Sequence, residues 1–200
     1  MLKIGLTGGI ATGKSYVLER FRQHGVPCLD ADELAHGVTA AGTEATAAIA
    51  ARFGADVLAA DGSVDRKKLG PIVFRDPAAR RELEAIVHPA VRPRILAAVD
   101  AADAALAPAV VIEAIKLVEG GLAELCDQVW LVTCDAAAQR GRVLARGTPE
   151  DDADRRIAAQ AGLAERLAWA ATHVIDTSGD AAGTRGSVEA LFRAALSSSA

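Results

Sequence analysis

A chain of 200 residues, 51% hydrophobic and 4% aromatic, can bury one packed domain with or without a smaller insert, built mainly from Ala, Val, Leu and Ile. That composition argues against intrinsic disorder. The 26 acidic and 22 basic residues are well mixed and sum to −4, which argues against the one-sided basic face of a nucleic-acid binder, and no apolar run reaches the length of a bilayer span.

In chain order, Lys3 to Thr7 reads as a short buried strand, and Ser15 to Gln23 as a helix with Val17, Leu18 and Phe21 at helical spacing. Between them, GGIATGKS from Gly8 to Ser15 matches G-x-x-x-x-G-K-[ST], the phosphate-binding loop. Its glycines let backbone N–H groups turn inward around a phosphate, and the helix that follows aims its positive end at the same point. Lys14 suits the outer phosphates as a point charge, and the Ser15 hydroxyl suits Mg²⁺. The strand before and the helix after are the context this motif needs, so the loop is expected to bind a nucleoside triphosphate. It begins so close to Met1 that no signal peptide is expected ahead of the first strand.

A second strand is expected over Val26–Leu29, running into Asp30-Ala31-Asp32. Further strands are expected over Pro108–Ala114, Asp127–Cys134 and Thr172–Ser178, all near-continuous apolar runs of the kind covered on both faces of a parallel sheet. Helical patterns lie over Arg80–Val87, Pro93–Ala104, Ala136–Arg146, Asp151–Ala161, Glu165–Ala171 and Ser187–Leu196, before a Ser-rich tail expected to fray. The alternation predicts an α/β fold, doubly wound around a mostly parallel five-stranded sheet. About seventy-five residues separate the second strand from the third, more than a crossover needs. Residues 33–107 therefore read as a helical insertion forming a second wall for a substrate, in a single domain with its core over 1–32 and 108–200.

Several side chains are placed for chemistry. Asp30 and Asp32 follow the second strand at the carboxyl edge of the sheet, where ligands bind in such folds. A carboxylate there can accept the proton of an attacking hydroxyl, or one of the two can simply cap the helix starting near Glu33. Glu113 ends the third strand, the position of an acidic residue that holds Mg²⁺ through water; the alternative is a surface carboxylate. Arg140, Arg142 and Arg146 share one helix, with Arg142 and Arg146 four apart, a spacing that fits either a triphosphate clamp or a solvated face. His88 and Arg92 are four apart if a helix starts near Pro89, and with Arg66 they suit an anionic substrate. Cys28, Cys126 and Cys134 form no C-x-x-C pair and sit among apolar neighbours, so buried free thiols in a reducing cytoplasm are expected. No N-K-x-D guanine motif occurs, and the D-x-x-G at Asp176 lies too near the C-terminus for a GTPase switch.

Taken together, IGLTGGIATGKS, GVPCLDADELAHGV, ARFG, DGSVDRKKL, VFRDP, ELEAIVHPAVR, VEGGL, DQVWLVTC, QRGRVLARG and RRIAAQ occur in an order that resembles the dephospho-coenzyme A kinases. Members of that family phosphorylate the ribose 3′-hydroxyl of dephospho-CoA with MgATP. The resemblance implies a phosphate-loop NTPase fold with a helical lid over about 140–162. ATP would be bound by Gly8, Gly9, Ala11, Thr12, Gly13, Lys14, Ser15, Tyr16 and Arg146, with Mg²⁺ on Ser15. Asp32 would receive the 3′-hydroxyl proton, Arg142 would sit on the lid, and Arg66, His88 and Arg92 would line the CoA side. ATP and dephospho-CoA are the partners implied, with neither nucleic acid nor membrane. Ala11, Tyr16, Lys116, Gly147, Thr172 and Thr177 depart from the family's usual residues.

Overall fold

The computed structural model describes residues 1–198; residues 199 and 200 of the Ser-rich tail lie outside them. Five strands form one sheet: β1 (Leu2–Gly8), β2 (Cys28–Asp30), β3 (Ala109–Glu113), β4 (Gln128–Thr133) and β5 (His173–Asp176), in the order β2-β3-β1-β4-β5. β1 is central and pairs in parallel with β3, from Leu2↔Ala109 to Leu6↔Glu113, and with β4, from Ile4↔Gln128 to Gly8↔Val132. β4 pairs in parallel with β5. The doubly wound sheet expected from the alternation is therefore found, with the glycine-rich loop leaving its central strand. β2 starts two residues later than expected. The Val26 N–H bonds the Phe21 carbonyl at 3.1 Å to close the turn after the first helix, and Pro27 has no N–H to give a ladder.

Alternate residues of each strand go to opposite faces. Leu2, Ile4 and Leu6 of β1, Ala109 and Val111 of β3, and Trp130 and Val132 of β4 pack under α1 (Lys14–Gln23) and α9 (Ala181–Ser198). Leu131 faces the other way and packs with Leu163 and Leu167 of α8 (Leu163–Leu167). Although the core is mostly aliphatic, aromatics sit at its centre. Phe21 lies 5.3 Å from Trp130 and 5.1 Å edge-on from Phe192, pairs worth about 0.5–1.5 kcal/mol each beyond their buried area. Trp130 is fully buried, and its Nε1–H donates to Gln128 Oε1 at 2.9 Å. α9 starts six residues before the expected Ser187, because Asp180 Oδ1 accepts the Gly183 N–H at 2.7 Å and caps it. Gly183 and Gly186 hide that first stretch from any propensity argument.

The chain divides into two compact units, Met1–Leu29 with Ala101–Ala200, and Asp30–Asp100. The second unit contains α2 (Ala31–Val38), α3 (Glu44–Phe53), α4 (Arg66–Arg75) and most of α5 (Pro77–Ala104). Its own core gathers Ile49, Val57 and Leu69 with Phe53, Leu83, Ile86 and Val87. α5 corrects the sequence expectation, since one helix of 28 residues replaces the two separate helices and carries both Pro89 and Pro93 inside it. Each proline removes one i→i−4 bond, normally a cost of about 3 kcal/mol. Ala85, Pro89 and Pro93 recur every fourth residue on an exposed face, so water can reach the carbonyls involved. Val91 and Ile95 are buried on the opposite face. His88 and Arg92 thus lie one turn apart in mid-helix, not at a helix start.

The three cysteines are free but partly exposed, which departs from full burial. Burial still raises their pKa values, pushing Cys28 up to about 11 and Cys126 up to about 12, with Cys134 also raised. At pH 8 the thiolate fraction of Cys126 should be on the order of 10⁻⁴. A maleimide reagent is thus expected to label Cys28 and Cys126 slowly in the native protein and all three thiols at once in guanidinium. The linkage has a definite sign: a raised folded-state pKa gives stability that is present below about 9 and is lost as pH climbs toward 12. Fast native labelling of Cys126 would contradict this.

Candidate active site

The phosphate loop is built around close approaches that a side chain would block. A Cβ on Gly8 would run into the Val132 carbonyl oxygen, and one on Gly13, at φ 97°, would meet Thr177 Oγ1 at 3.0 Å. Gly13 is also the residue before α1, so its left-handed backbone sets the entry of the helix whose N-terminal end faces the loop. Lys14 Nζ donates to the carbonyls of Gly8 at 2.9 Å and Gly9 at 3.1 Å, and lies 3.7 Å from Glu113 Oε1. Glu113 is 8% exposed, which rules out the surface carboxylate. From the start of α1 and the end of β3, lysine and carboxylate form a partly desolvated ion pair, their side chains 10% and 11% exposed. Ser15 is exposed in the first turn of α1, and Thr12 Oγ1 donates to the Gly9 carbonyl at 3.0 Å.

Beside the loop lies a pocket of about 270 Å³ whose lining includes Gly13, Ser15, Tyr16, Arg142, Arg146 and Thr177. α6 (Ala136–Ala145) supplies Arg142, and Arg146 is the residue that ends it. Arg142 is not a free clamp: it donates to Thr177 Oγ1 at 2.8 Å, to the Thr177 carbonyl at 2.5 Å and to the Ala11 carbonyl at 3.4 Å. Thr177 is buried, and its one hydroxyl proton serves the Thr12 carbonyl at 2.7 Å. Tyr16 donates through its hydroxyl to the Ala181 carbonyl at 2.7 Å, and its ring carries the Arg20 guanidinium at 4.9 Å. It thereby joins α1 to the start of α9 at the pocket wall. Arg140 faces elsewhere, pairing with Asp154 at 2.8 Å and Glu150 at 3.2 Å on α7 (Glu150–Ala158). Those bonds hold the carboxyl of Asp154 below its usual range.

Residues with no motif complete the loop. Gln139 Nε2 donates to the Ile10 carbonyl at 2.9 Å, and the Ile10 N–H donates to Gln160 Oε1 at 2.6 Å. One weak sequence signal existed: Gln139 precedes buried Val143 by four residues, so a polar side chain sits on the inward face of α6.

In the second unit, Asp30 Oδ1 accepts the Glu33 N–H at 2.9 Å and caps α2, leaving Asp32 exposed in the first turn. Arg66 opens α4; burial lowers its pKa, and the Asp32 charge offsets part of that lowering. His88 is half-buried and Arg92 exposed on α5. Among the described residues, no cluster of three or more His, Cys, Asp or Glu side chains forms a metal cage, and no helix is long and apolar enough to cross a membrane.

Residues 2–182 match the family model described as CoaE, dephospho-CoA kinase. The chain is 46% identical to a dephospho-CoA kinase of Symbiobacterium thermophilum, over 96% of this chain and 80% of the relative. It is 42% identical to one of Geobacter metallireducens, over 96% of both. A solved structure from Thermus thermophilus superposes with a TM-score of 0.79 at 30% identity, covering 98% of this chain and 97% of the other. With a glycine loop on the central strand, a lysine held at its mouth and relatives of this likeness along nearly its whole length, the chain belongs to the dephospho-CoA kinase family.

Proposed function

We propose that this protein transfers the γ-phosphoryl group of ATP to the ribose 3′-hydroxyl of dephospho-CoA, giving coenzyme A and ADP. The observation that carries the reading is the loop from Gly8 to Ser15, with Lys14 set at its mouth by two carbonyls and Glu113, in a chain of this family. In the proposed reaction the 3′-oxygen bonds to the γ-phosphorus as the bond to the β–γ bridging oxygen breaks, and Asp32 takes the hydroxyl proton. Lys14 and the loop N–H groups neutralise the charge that builds on the phosphates. Arg146 and Arg142 border the nucleotide, while Arg66, His88 and Arg92 hold the anionic groups of the acceptor.

Mg²⁺ fits the donors available. Ser15, with an exposed hydroxyl oxygen, would be a direct ligand and the Glu113 carboxylate would act through a water, and this cation usually takes one or two protein groups besides substrate phosphates. When bound, it supplies Lewis-acid neutralisation of the phosphate oxygens.

The test is direct. Protein incubated with MgATP and dephospho-CoA is expected to form CoA and ADP in equal amounts, read by mass. ADP released without CoA, or phosphorylation of another small alcohol in its place, would refute the assignment.

A further inference from the structure

The polar partners of the loop crest come from outside the phosphate-binding motif. Gln139 from α6 and Gln160 after α7 take the carbonyl and the N–H of Ile10. Arg142 takes the Ala11 carbonyl and Thr177 the Thr12 carbonyl. Ile10 and Ala11 also pack with Val143, Leu144, Ala153 and Ile157 of α6 and α7. At the centre of this arrangement Ala11 has φ 56°, a left-handed backbone that a residue with a Cβ keeps only when its surroundings over-determine it.

Two peptide planes show what the glutamines do. In a trans peptide the N–H and the C=O point in opposite directions. Gln160 holds the Ile10 N–H, so the carbonyl of the same plane, that of Gly9, is turned the other way, where it accepts Lys14 Nζ at 3.1 Å and Thr12 Oγ1 at 3.0 Å. Gln139 holds the Ile10 carbonyl, so the N–H of Ala11 is turned away from α6. The contact is close: a Cβ on Gly9 would meet Gln160 Oε1 at 3.1 Å and Gln139 Nε2 at 3.4 Å.

We infer that Gln139 and Gln160 are positioning residues for nucleotide binding: they fix the two peptide planes around Ile10, one orienting Lys14 and the other the Ala11 N–H, and keep Ala11 in its left-handed conformation. The inference rests on the loop binding the triphosphate. It makes the segment that carries the glutamines part of the scaffold of the phosphate site, and it predicts an energetic coupling between the glutamines and residue 11.

The experiment is a double-mutant cycle read by calorimetric titration of the full chain with a non-hydrolysable ATP analogue. Gln139→Ala with Gln160→Ala is expected to weaken binding about tenfold, and either single change about threefold. In an Ala11→Gly background, where the loop reaches the same shape without strain, the loss from the paired change should shrink to about threefold or less. In turnover the loss should fall on the KM for ATP and leave the KM for dephospho-CoA unchanged. If the paired variant does not fold, the two single variants carry the same comparison. An equal loss in both backgrounds, or no loss in either, with wild type binding normally, overturns the positioning role alone. Wild type that binds no triphosphate overturns the phosphate-loop reading together with it.

Discussion

Lys14→Ala is expected to lower kcat/KM by about 10³-fold, the scale set by removing one preorganised charge from a transition-state site. It is also expected to cost stability, because Glu113 is buried at the end of β3 with the lysine 3.7 Å away. Removing one partner of such a pair leaves an uncompensated charge, typically costing about 3–5 kcal/mol. The two losses separate with a second variant. Lys14→Met combined with Glu113→Gln removes both charges and should recover most of the melting temperature while staying inactive. A double variant that regained activity would mean that the lysine acts through the fold; one that stayed unstable would mean that the ion pair is not what holds this corner. Both are read by thermal melting beside a steady-state assay.

Asp32→Asn should lower kcat about 10²–10⁴-fold, the range for loss of a general base, and leave the KM for ATP nearly unchanged. Asp30→Asn is the informative neighbour. Its carboxylate caps α2 through the Glu33 N–H, a task asparagine performs about as well, so that variant should keep near-wild-type turnover. Equal losses at the two positions, or a loss at Asp32 confined to the KM for ATP, would remove Asp32 from the chemistry.

The parts of the fold legible in sequence are those where one local rule dominates. The β1–loop–α1 unit could be read because the glycine spacing, the apolar run and the helical stripe of Val17, Leu18 and Phe21 agree on one geometry. α5 could not be divided correctly, because two prolines ordinarily break a helix, and only the solvent face shared by Ala85, Pro89 and Pro93 accommodates them. For Glu113 the strand end was visible but not its burial, which depends on β1 bringing Lys14 to it across a sequence gap of about a hundred residues. Gln139 and Gln160 were the least visible: only the four-residue step from Gln139 to buried Val143 hinted at an inward side chain, and each glutamine's partner is a backbone group far away in sequence.

The order of the strands has a consequence for synthesis on the ribosome. β1 is made first, yet its neighbours are β3 and β4, at residues 109–113 and 128–133. At about 5–20 residues per second, the apolar strand LKIGLTG waits on the order of 5–25 s for its first parallel partners to be made. Meanwhile the continuous unit Asp30–Asp100 is synthesised whole. The nascent chain thus carries an unpaired strand ahead, in sequence, of a segment able to form its own core, and β1 is the stretch in need of protection from edge-to-edge association until β3 and β4 are made.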